Sequence, residues 1–387
     1  MLDFLNYRLD LIDLVLLVCV GAVFIYQIAY NIICLCNFNK KKRTPTTSNN
    51  KQGVSVIIVT NNSADALKTG LLQILEQDYP LFEVVVVNEN STDDTEFVLY
   101  VLKKNYSNLT VINLGKNDNN FESYKFSLSI GIRSAKYSYC LLTNVSCTPQ
   151  GYNWLDKMME PVNSNNQCKI VTGIVSREKS KYGLLNAIVR YDESLSCVNL
   201  ISYTNLGNAY TSCGMNMIYE KDFFISHGGF IAQYTKMCSQ EDYFVHRFST
   251  KKNTATVVDN EARLLLPPIN SFGTFCRTKF ATSLSHKALK GSSKVLLATL
   301  PLSSFLFYIL LGLLFFFSFP WQYILIFIVA KWISQIVFST KQRRKVSAKK
   351  IVWVAPFMEI FFFFFNFIIR VRVLFYRKKE KKIRWKK

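Results

Sequence analysis

Two short apolar runs, residues 54–60 and 83–88, are rich in β-branched side chains and bounded by polar residues, the pattern of strands buried on both faces. Between them Leu67, Leu71, Leu72 and Leu75 recur at helical spacing, and the turn Asp78-Tyr79-Pro80 stops that helix. The pattern predicts a strand–helix–strand unit with a right-handed crossover. Further along, Thr92 or Asp93 can cap a helix reaching about residue 105, with Asp93 and Glu96 at capping-box spacing. Strands are expected at 109–114, 137–143, 169–175 and 254–258, and helices at 122–134 and 182–196. The stretch 209–220 holds Gly214-Met215-Asn216 and Tyr219, and Gln240-Glu241-Asp242 opens a further helix. Alternation of this kind to about residue 260 indicates an α/β domain with a mainly parallel, Rossmann-like sheet.

The apolar pattern changes character at both ends. Residues 14–36 form one run long enough to cross a bilayer at about 1.5 Å per residue. Lys40-Lys41-Lys42-Arg43 follows it, whereas a signal peptide carries its charge before the apolar run, so an uncleaved anchor is expected. Beyond Lys290, residues 295–319 and 321–338 read as a transmembrane hairpin turning at Pro320-Trp321, with Lys331 inside the second span either snorkelling or facing another helix. Residues 351–376 are apolar but flanked by strong basic runs, with Pro356 and Glu359 interrupting. An interfacial or re-entrant helix at the cytoplasmic surface is expected there. The organisation is thus an anchor (1–43), a polar linker (44–52), an α/β domain (53–290), a transmembrane hairpin (291–340) and a basic apolar tail (341–387).

Charge sharpens that division. The net charge is +21, but residues 341–387 hold 16 Lys and Arg against Glu359 and Glu380. The basic runs flank apolar segments rather than lying on a folded face, which argues against a nucleic-acid surface and for the positive-inside rule. That rule places the α/β domain in the cytosol, at the cytoplasmic (inner) membrane. The ten cysteines show no C-x-x-C pair, so neither a zinc ribbon nor a disulfide framework is indicated. Five N-x-S/T sequons carry no weight in a cytosolic domain.

Candidate chemistry lies where the first two strands end, at Thr60-Asn61-Asn62 and Asn88-Glu89-Asn90. Ligands of open parallel sheets bind outside those carboxyl ends. No G-x-G-x-x-G follows a strand, which argues against a dinucleotide, and no organic cofactor is expected.

The stretch from Val54 to Thr95 resembles the donor-binding half of the inverting family 2 glycosyltransferases, which have the GT-A fold. Gln77-Asp78-Tyr79-Pro80, Phe82-Glu83-Val84 and Ser91-Thr92-Asp93-Asp94-Thr95 match that family's motifs as they stand. The likeness continues to about residue 290. It implies donor binding by Thr60, Asn61, Asn62 and Glu89, with Glu89 in the place of a base- or ribose-binding Asp. It implies Asp242 as the catalytic base and Glu241 as its positioning partner, although carboxylates at a helix N-terminus are also common dipole partners. Gly214 and Asn216 match an element near the acceptor site, although such residues are often simple turn formers.

Two departures concern the leaving group. Where the family has two metal-binding aspartates in a TDADC motif, the chain reads Thr143-Asn144-Val145-Ser146-Cys147. Asn144 and Ser146 are neutral, so a Mg²⁺ or Mn²⁺ cofactor is in doubt. Where the resemblance implies a Q/R-x-x-R-W element for diphosphate and acceptor, Arg277 and Lys279 are the cations present. Three readings follow. In the first, an active membrane transferase moves sugar from a nucleotide-sugar donor to a lipid-linked or polysaccharide acceptor, with Lys125, Arg277 or Lys279 replacing the metal's charge or an ion held weakly at Asn144. In the second, an inactive relative partners an active transferase. In the third, the domain is a membrane-tethered scaffold.

Overall fold

The computed structural model describes residues 10–38, 51–115, 123–209, 214–231, 240–285, 291–343 and 354–384. They form, in chain order, α1 (Leu11–Phe38), β1 (Val54–Thr60), α2 (Ala64–Ala66) continuing through a π-turn at Leu67–Leu71 into α3 (Leu72–Leu75), β2 (Phe82–Glu89), α4 (Thr95–Asn105), β3 (Leu109–Leu114), α5 (Ser123–Ser134) and β4 (Tyr139–Thr143). Then come β5 (Thr148–Pro149), α6 (Trp154–Ser164), β6 (Ile170–Thr172), β7 (Val175–Arg177), α7 (Gly183–Leu206), β8 (Met217–Glu220), α8 (Lys221–Ser226) and α9 (Gln240–Phe248). The last elements are β9 (Thr254–Thr256), β10 (Leu264–Leu266), α10 (Phe272–Ser285), α11 (Gly291–Phe316), α12 (Trp321–Arg343) and α13 (Ala355–Arg384). The chain divides into two compact units, one of Lys40–Val189 with Tyr203–Leu289, the other of Met1–Asn39, Arg190–Ser202 and Lys290–Lys387.

The first unit is built on a seven-stranded sheet of order β3-β2-β1-β4-β8-β6-β9. β1 pairs in parallel with β2 and β4, as expected of runs buried on both faces. Its side chains alternate between two cores. Val54, Val56 and Ile58 pack with Leu67, Leu71 and Leu99, and Ile57 and Val59 pack with Leu128 and Ile132 of α5 on the opposite face. This is the mainly parallel α/β architecture that the alternation predicts.

The structure refines three expectations. The single strand expected over 169–175 is two strands in two sheets, because the chain leaves the main sheet at Gly173. A Cβ there would collide with the Asn216 amide and with Met158 Sδ. β7 then joins β10 and β5 in a separate three-stranded sheet. β8 runs antiparallel to both its neighbours, so the sheet is mixed at that point. α6, absent from the sequence reading, buries Trp154, Leu155, Met158, Met159 and Val162 on one face. α7 runs longer than expected and stops at Gly207, whose φ of 82° closes a left-handed cap.

The second unit contains three helices long and apolar enough to cross a membrane: Leu11–Phe38, Leu297–Phe316 and Trp321–Lys341. Val20 of α1 packs with Phe307, Leu310, Leu311 and Leu314 of α11. Lys331 faces its neighbours rather than snorkelling. It is fully buried, its Nζ 4.3 Å from the centre of the Tyr308 ring and 3.6 Å from Glu359 Oε2 on α13. Pro356 and Glu359 do not interrupt the last apolar stretch. α13 is one unbroken helix, with Pro356 in its first turn, where no helical N–H partner is lost.

Candidate functional site

The strand order reverses between β1 and β4. β2 and β3 are added on one side of β1 through α2, α3 and α4, whereas α5 crosses the other face to deliver β4. Such a reversal opens a crevice beyond the carboxyl ends of the strands. The register sets Thr60 opposite Asn88 and Thr143 opposite Ile58, so three adjacent strands end at this edge.

On the β1–β2 side the loops hold one another. Asn61 donates its amide to the Glu89 carbonyl. Asn62, at φ 47°, accepts from the Thr92 N–H at 2.8 Å and gives its own N–H to Ser91 Oγ at 3.0 Å. Asparagine tolerates that left-handed backbone where most residues do not. Ser91 in turn donates to Asn88 Oδ1 at 2.6 Å. Asp93 accepts from the Ala64 and Thr95 N–H groups at 3.2 and 3.1 Å, and the Thr95 side chain first, then these backbone bonds, hold its carboxyl below the ordinary range. The N-cap of α4 is therefore Asp94, and Glu96 accepts from Asn113 instead of closing a capping box.

Two polar atoms on the β1–β2 side are left over, and a third, Thr143 Oγ1, is buried without a hydrogen-bond partner at the end of β4. Thr60 Oγ1 and Glu89 Oε1 are buried and have no hydrogen-bond partner. Burial also raises the Glu89 pKa, because the carboxylate loses water without gaining a donor. Of the four donor-binding candidates in this region, Asn61 and Asn62 are engaged in loop geometry, and Thr60 and Glu89 keep unmatched acceptors.

The QDYP motif that carries the resemblance is structural here. Gln77 donates to Gly151 O at 2.9 Å, the Asp78 N–H donates to Tyr152 O at 2.8 Å and the Tyr79 hydroxyl donates to Gln52 O at 2.6 Å. Glu83 similarly accepts from Ser55 Oγ and the Lys136 N–H, both at 2.6 Å. These bonds clasp the start of the sheet at the end remote from the crevice.

On the β4 side the loop after the strand bonds within itself, while Thr143 Oγ1 at the strand end is buried without a hydrogen-bond partner. Asn144 Oδ1 accepts the Ser146 N–H at 2.9 Å, and the Asn144 carbonyl accepts the Cys147 N–H at 2.9 Å. Ser146 is exposed, and the Thr143 hydroxyl faces the Cys147 thiol. The π-turn packs against this loop through Gly70, whose missing Cβ makes room for the Val145 carbonyl. The residues at this position do not fit a divalent-cation site. Both side chains are neutral, one is already hydrogen-bonded within the loop, and no cluster of three or more His, Cys, Asp or Glu exists among the described residues. Burial pushes Cys147 up to about 11 and Cys140 and Cys168 up to about 12, so none of these thiols supplies a nucleophile.

The remaining candidates are dispersed. Lys125 is fully buried on α5. Asn216 is buried in the core, where it accepts from Trp154 Nε1 at 3.1 Å and donates to the carbonyls of Ile174 and Ala262 at 3.0 and 2.9 Å. Its amide is saturated by protein groups, which corrects the expectation that it faces an acceptor; Gly214 of the same turn is half-buried and Met215 exposed. Arg277 is exposed on α10 and Lys279 is half-buried on the same helix. Glu241 and Asp242 open α9 as expected, and their side chains lie outside the described residues. Two turns along α9, His246 is buried and its Nδ1 lies 3.1 Å from the Ala209 carbonyl, a tether that no sequence pattern signals.

Comparison with known proteins identifies the architecture. Residues 55–227 match the model of the glycosyl transferase family 2. The chain is 25% identical over 191 residues to the poly-beta-1,6-N-acetyl-D-glucosamine synthase of Staphylococcus epidermidis, covering 48% of this chain and 43% of that protein. It is 22% identical over 214 residues to the synthase of the same name from Staphylococcus aureus, covering 54% and 48%. The chain thus spans about half the length of the curated relatives it matches. Among solved structures, the mannosyltransferase PcManGT from Pyrobaculum calidifontis, in complex with GDP-Man and Mn2+, superposes with a TM-score of 0.59 at 15% identity, covering 90% of this chain and 99% of that one. That likeness is one of fold, the GT-A-like α/β sheet.

Proposed function

We propose, because residues 55–227 match the model of the glycosyl transferase family 2, that the chain is a membrane-bound glycosyltransferase. It moves a sugar from a nucleotide-sugar donor to a lipid-linked or polysaccharide acceptor, with inversion. The observation that carries the reading is the pair of unmatched acceptors at the crevice, Thr60 Oγ1 and Glu89 Oε1. A buried acceptor without a donor destabilises the free protein, and a ribose hydroxyl or base N–H supplies the missing donor. The staphylococcal relatives' name supports a polysaccharide product built from N-acetylglucosamine.

In the transfer step the acceptor's hydroxyl oxygen attacks the anomeric carbon. The bond from that carbon to the diphosphate breaks, and its electron pair leaves with the nucleoside diphosphate. Asp242 takes the hydroxyl proton, with Glu241 holding the acceptor or Asp242 itself in place. Since the β4 loop offers neutral groups, one of the cations Lys125, Arg277 or Lys279 offsets the charge on the departing diphosphate. Gly214 lets the acceptor approach the backbone. The positive-inside rule, applied to the clusters at 40–43 and 341–345, puts this domain on the cytoplasmic side of the inner membrane.

The neutral Asn144 and Ser146 favour a second reading, an inactive subunit that binds nucleotide beside an active partner transferase. Calorimetry of the full chain with UDP and GDP, with and without Mn²⁺, alongside transfer from UDP-N-acetylglucosamine, separates the two. Binding with turnover supports the transferase. Binding without turnover at any metal concentration supports the subunit, and absence of nucleotide binding removes both.

A further inference from the structure

A second site of unmatched polar groups lies within the helical unit itself. Three helices there carry polar residues on one face at helical spacing: Gln27 and Asn31 on α1, Gln335 and Ser339 on α12, and Glu359, Asn366 and Arg370 on α13. In a bundle of apolar helices such residues face the interior and mark a binding position or pathway. Here they line a cavity of about 260 Å³, walled on its apolar side by Phe338, Phe362, Phe363 and Phe367. That space is several times what one water occupies, about 30 Å³.

The donor and acceptor inventory defines what fits. Glu359 is satisfied, since Ser304 and Gln335 donate to its two oxygens and Lys331 lies 3.6 Å away. The pair Lys331 and Glu359 therefore adds no net charge. Gln27 is 95% buried, and its Nε2 has no acceptor. Gln335 donates to Glu359, and its own Oε1 is buried with no donor. Arg370 is exposed and contributes a cation to the same lining. A ligand complementary to this set must accept from an amide and a guanidinium and donate to an amide oxygen, and must lay hydrocarbon on phenylalanine. A phosphodiester without headgroup hydroxyls offers no donor, and a simple alcohol offers no anion.

We propose that this cavity is a binding site for a phospholipid whose headgroup carries free hydroxyls, the phosphatidylglycerol class. The phosphate pairs with Arg370 and accepts from Gln27, and a headgroup hydroxyl donates to Gln335 Oε1. The acyl chains lie along Phe362, Phe363 and Phe367. The site stands whether or not the α/β domain transfers sugar, because each of its residues belongs to the helical unit.

The full chain is placed in nanodiscs of phosphatidylcholine containing a minor fraction of phosphatidylglycerol, phosphatidic acid or diacylglycerol, and the retained lipid is read by native mass spectrometry. Phosphatidylglycerol is expected to be retained over the other three. Gln27→Leu removes an unmatched donor, so it should leave the thermal stability in pure phosphatidylcholine undiminished while weakening phosphatidylglycerol retention about tenfold. Arg370→Gln should bring phosphatidylglycerol retention down to that of diacylglycerol. Equal retention of phosphatidylcholine, preference for phosphatidic acid, unchanged retention in Gln27→Leu, or an absence of bound lipid would each overturn the site.

Discussion

At the β1–β2 side of the crevice, four loop residues tie the two strand ends to one another and still leave Thr60 Oγ1 and Glu89 Oε1 without donors. At the β4 side, Asn144 answers Ser146 within its own turn and leaves no charge behind. The two sides of one crevice are thus prepared for different things. The first is a rigid frame holding unmatched acceptors, as a binding surface that awaits a ligand requires. The second is a neutral turn in which Asn144 and Ser146 bond to one another, with only the Thr143 hydroxyl at its start left without a partner.

The largest expected effect breaks the comparison from outside both sides. Asp242→Asn should lower sugar transfer by about 100- to 10,000-fold, the usual span for a lost general base, with nucleotide affinity unchanged by calorimetry. Unchanged turnover would remove Asp242 from the mechanism. Next is the scaffold that carries the β4 side. Asn216→Ala removes three buried hydrogen bonds and strands Trp154 Nε1 and two carbonyls, so thermal or denaturant unfolding of the chain should show a loss of about 3 kcal/mol or more. A loss of transfer with full stability would instead restore Asn216 to the acceptor site. The β1–β2 side should respond in the opposite sense. Glu89→Gln should weaken nucleotide binding about tenfold, because a charged acceptor becomes a neutral one, and it should not lower stability. A sharper test restores the missing charge. With Asn144→Asp and Ser146→Asp together, nucleotide binding should become Mn²⁺-linked where the parent chain's is not, and equal metal dependence of the two would contradict the division between the sides.

The parts of this molecule that could be read from its amino acids are those where one residue type has one job. Continuous β-branched runs gave β1, β2 and β3 nearly to the residue, and the long apolar runs gave α1, α11 and α12. α6 escaped because its apolar residues are interleaved with Asp156, Lys157, Glu160 and Pro161, so that its periodicity is visible only once Trp154 and Met158 have a core to face. The split at Gly173 escaped because it depends on a partner more than forty residues away. The same distance rule governs the site. Thr60 and Glu89 do end β1 and β2, and that much was readable because a strand end is a local property. Asn61, Asn62 and Asn216 looked like ligand-facing groups because an unengaged amide and a bridging amide have the same letter. The motifs Gln77-Asp78-Tyr79-Pro80 and Ser91-Thr92-Asp93-Asp94-Thr95 carry the resemblance to family 2, yet their hydrogen bonds hold the frame of the fold.

The smallest expected effect follows from the frame's one strained carboxyl. Burial raises the Glu89 pKa above the ordinary value of 4.5. In the unfolded chain the group ionises near that ordinary value, so between the two pKa values the folded state holds more protons than the unfolded one. Stability from this group is therefore fully retained in acid and lost as pH rises through the raised pKa. Glu89→Gln carries no such dependence. In thermal melts across a pH series the two proteins should coincide in stability below about pH 4, to the extent that other groups are shared, and the variant should gain on the parent as pH rises toward neutral. Added nucleotide should then narrow that gap in the parent by supplying the donor that Glu89 Oε1 lacks. A gap that widens toward acid would mean that the carboxylate is stabilised in the fold, and that Glu89 is no unmatched acceptor.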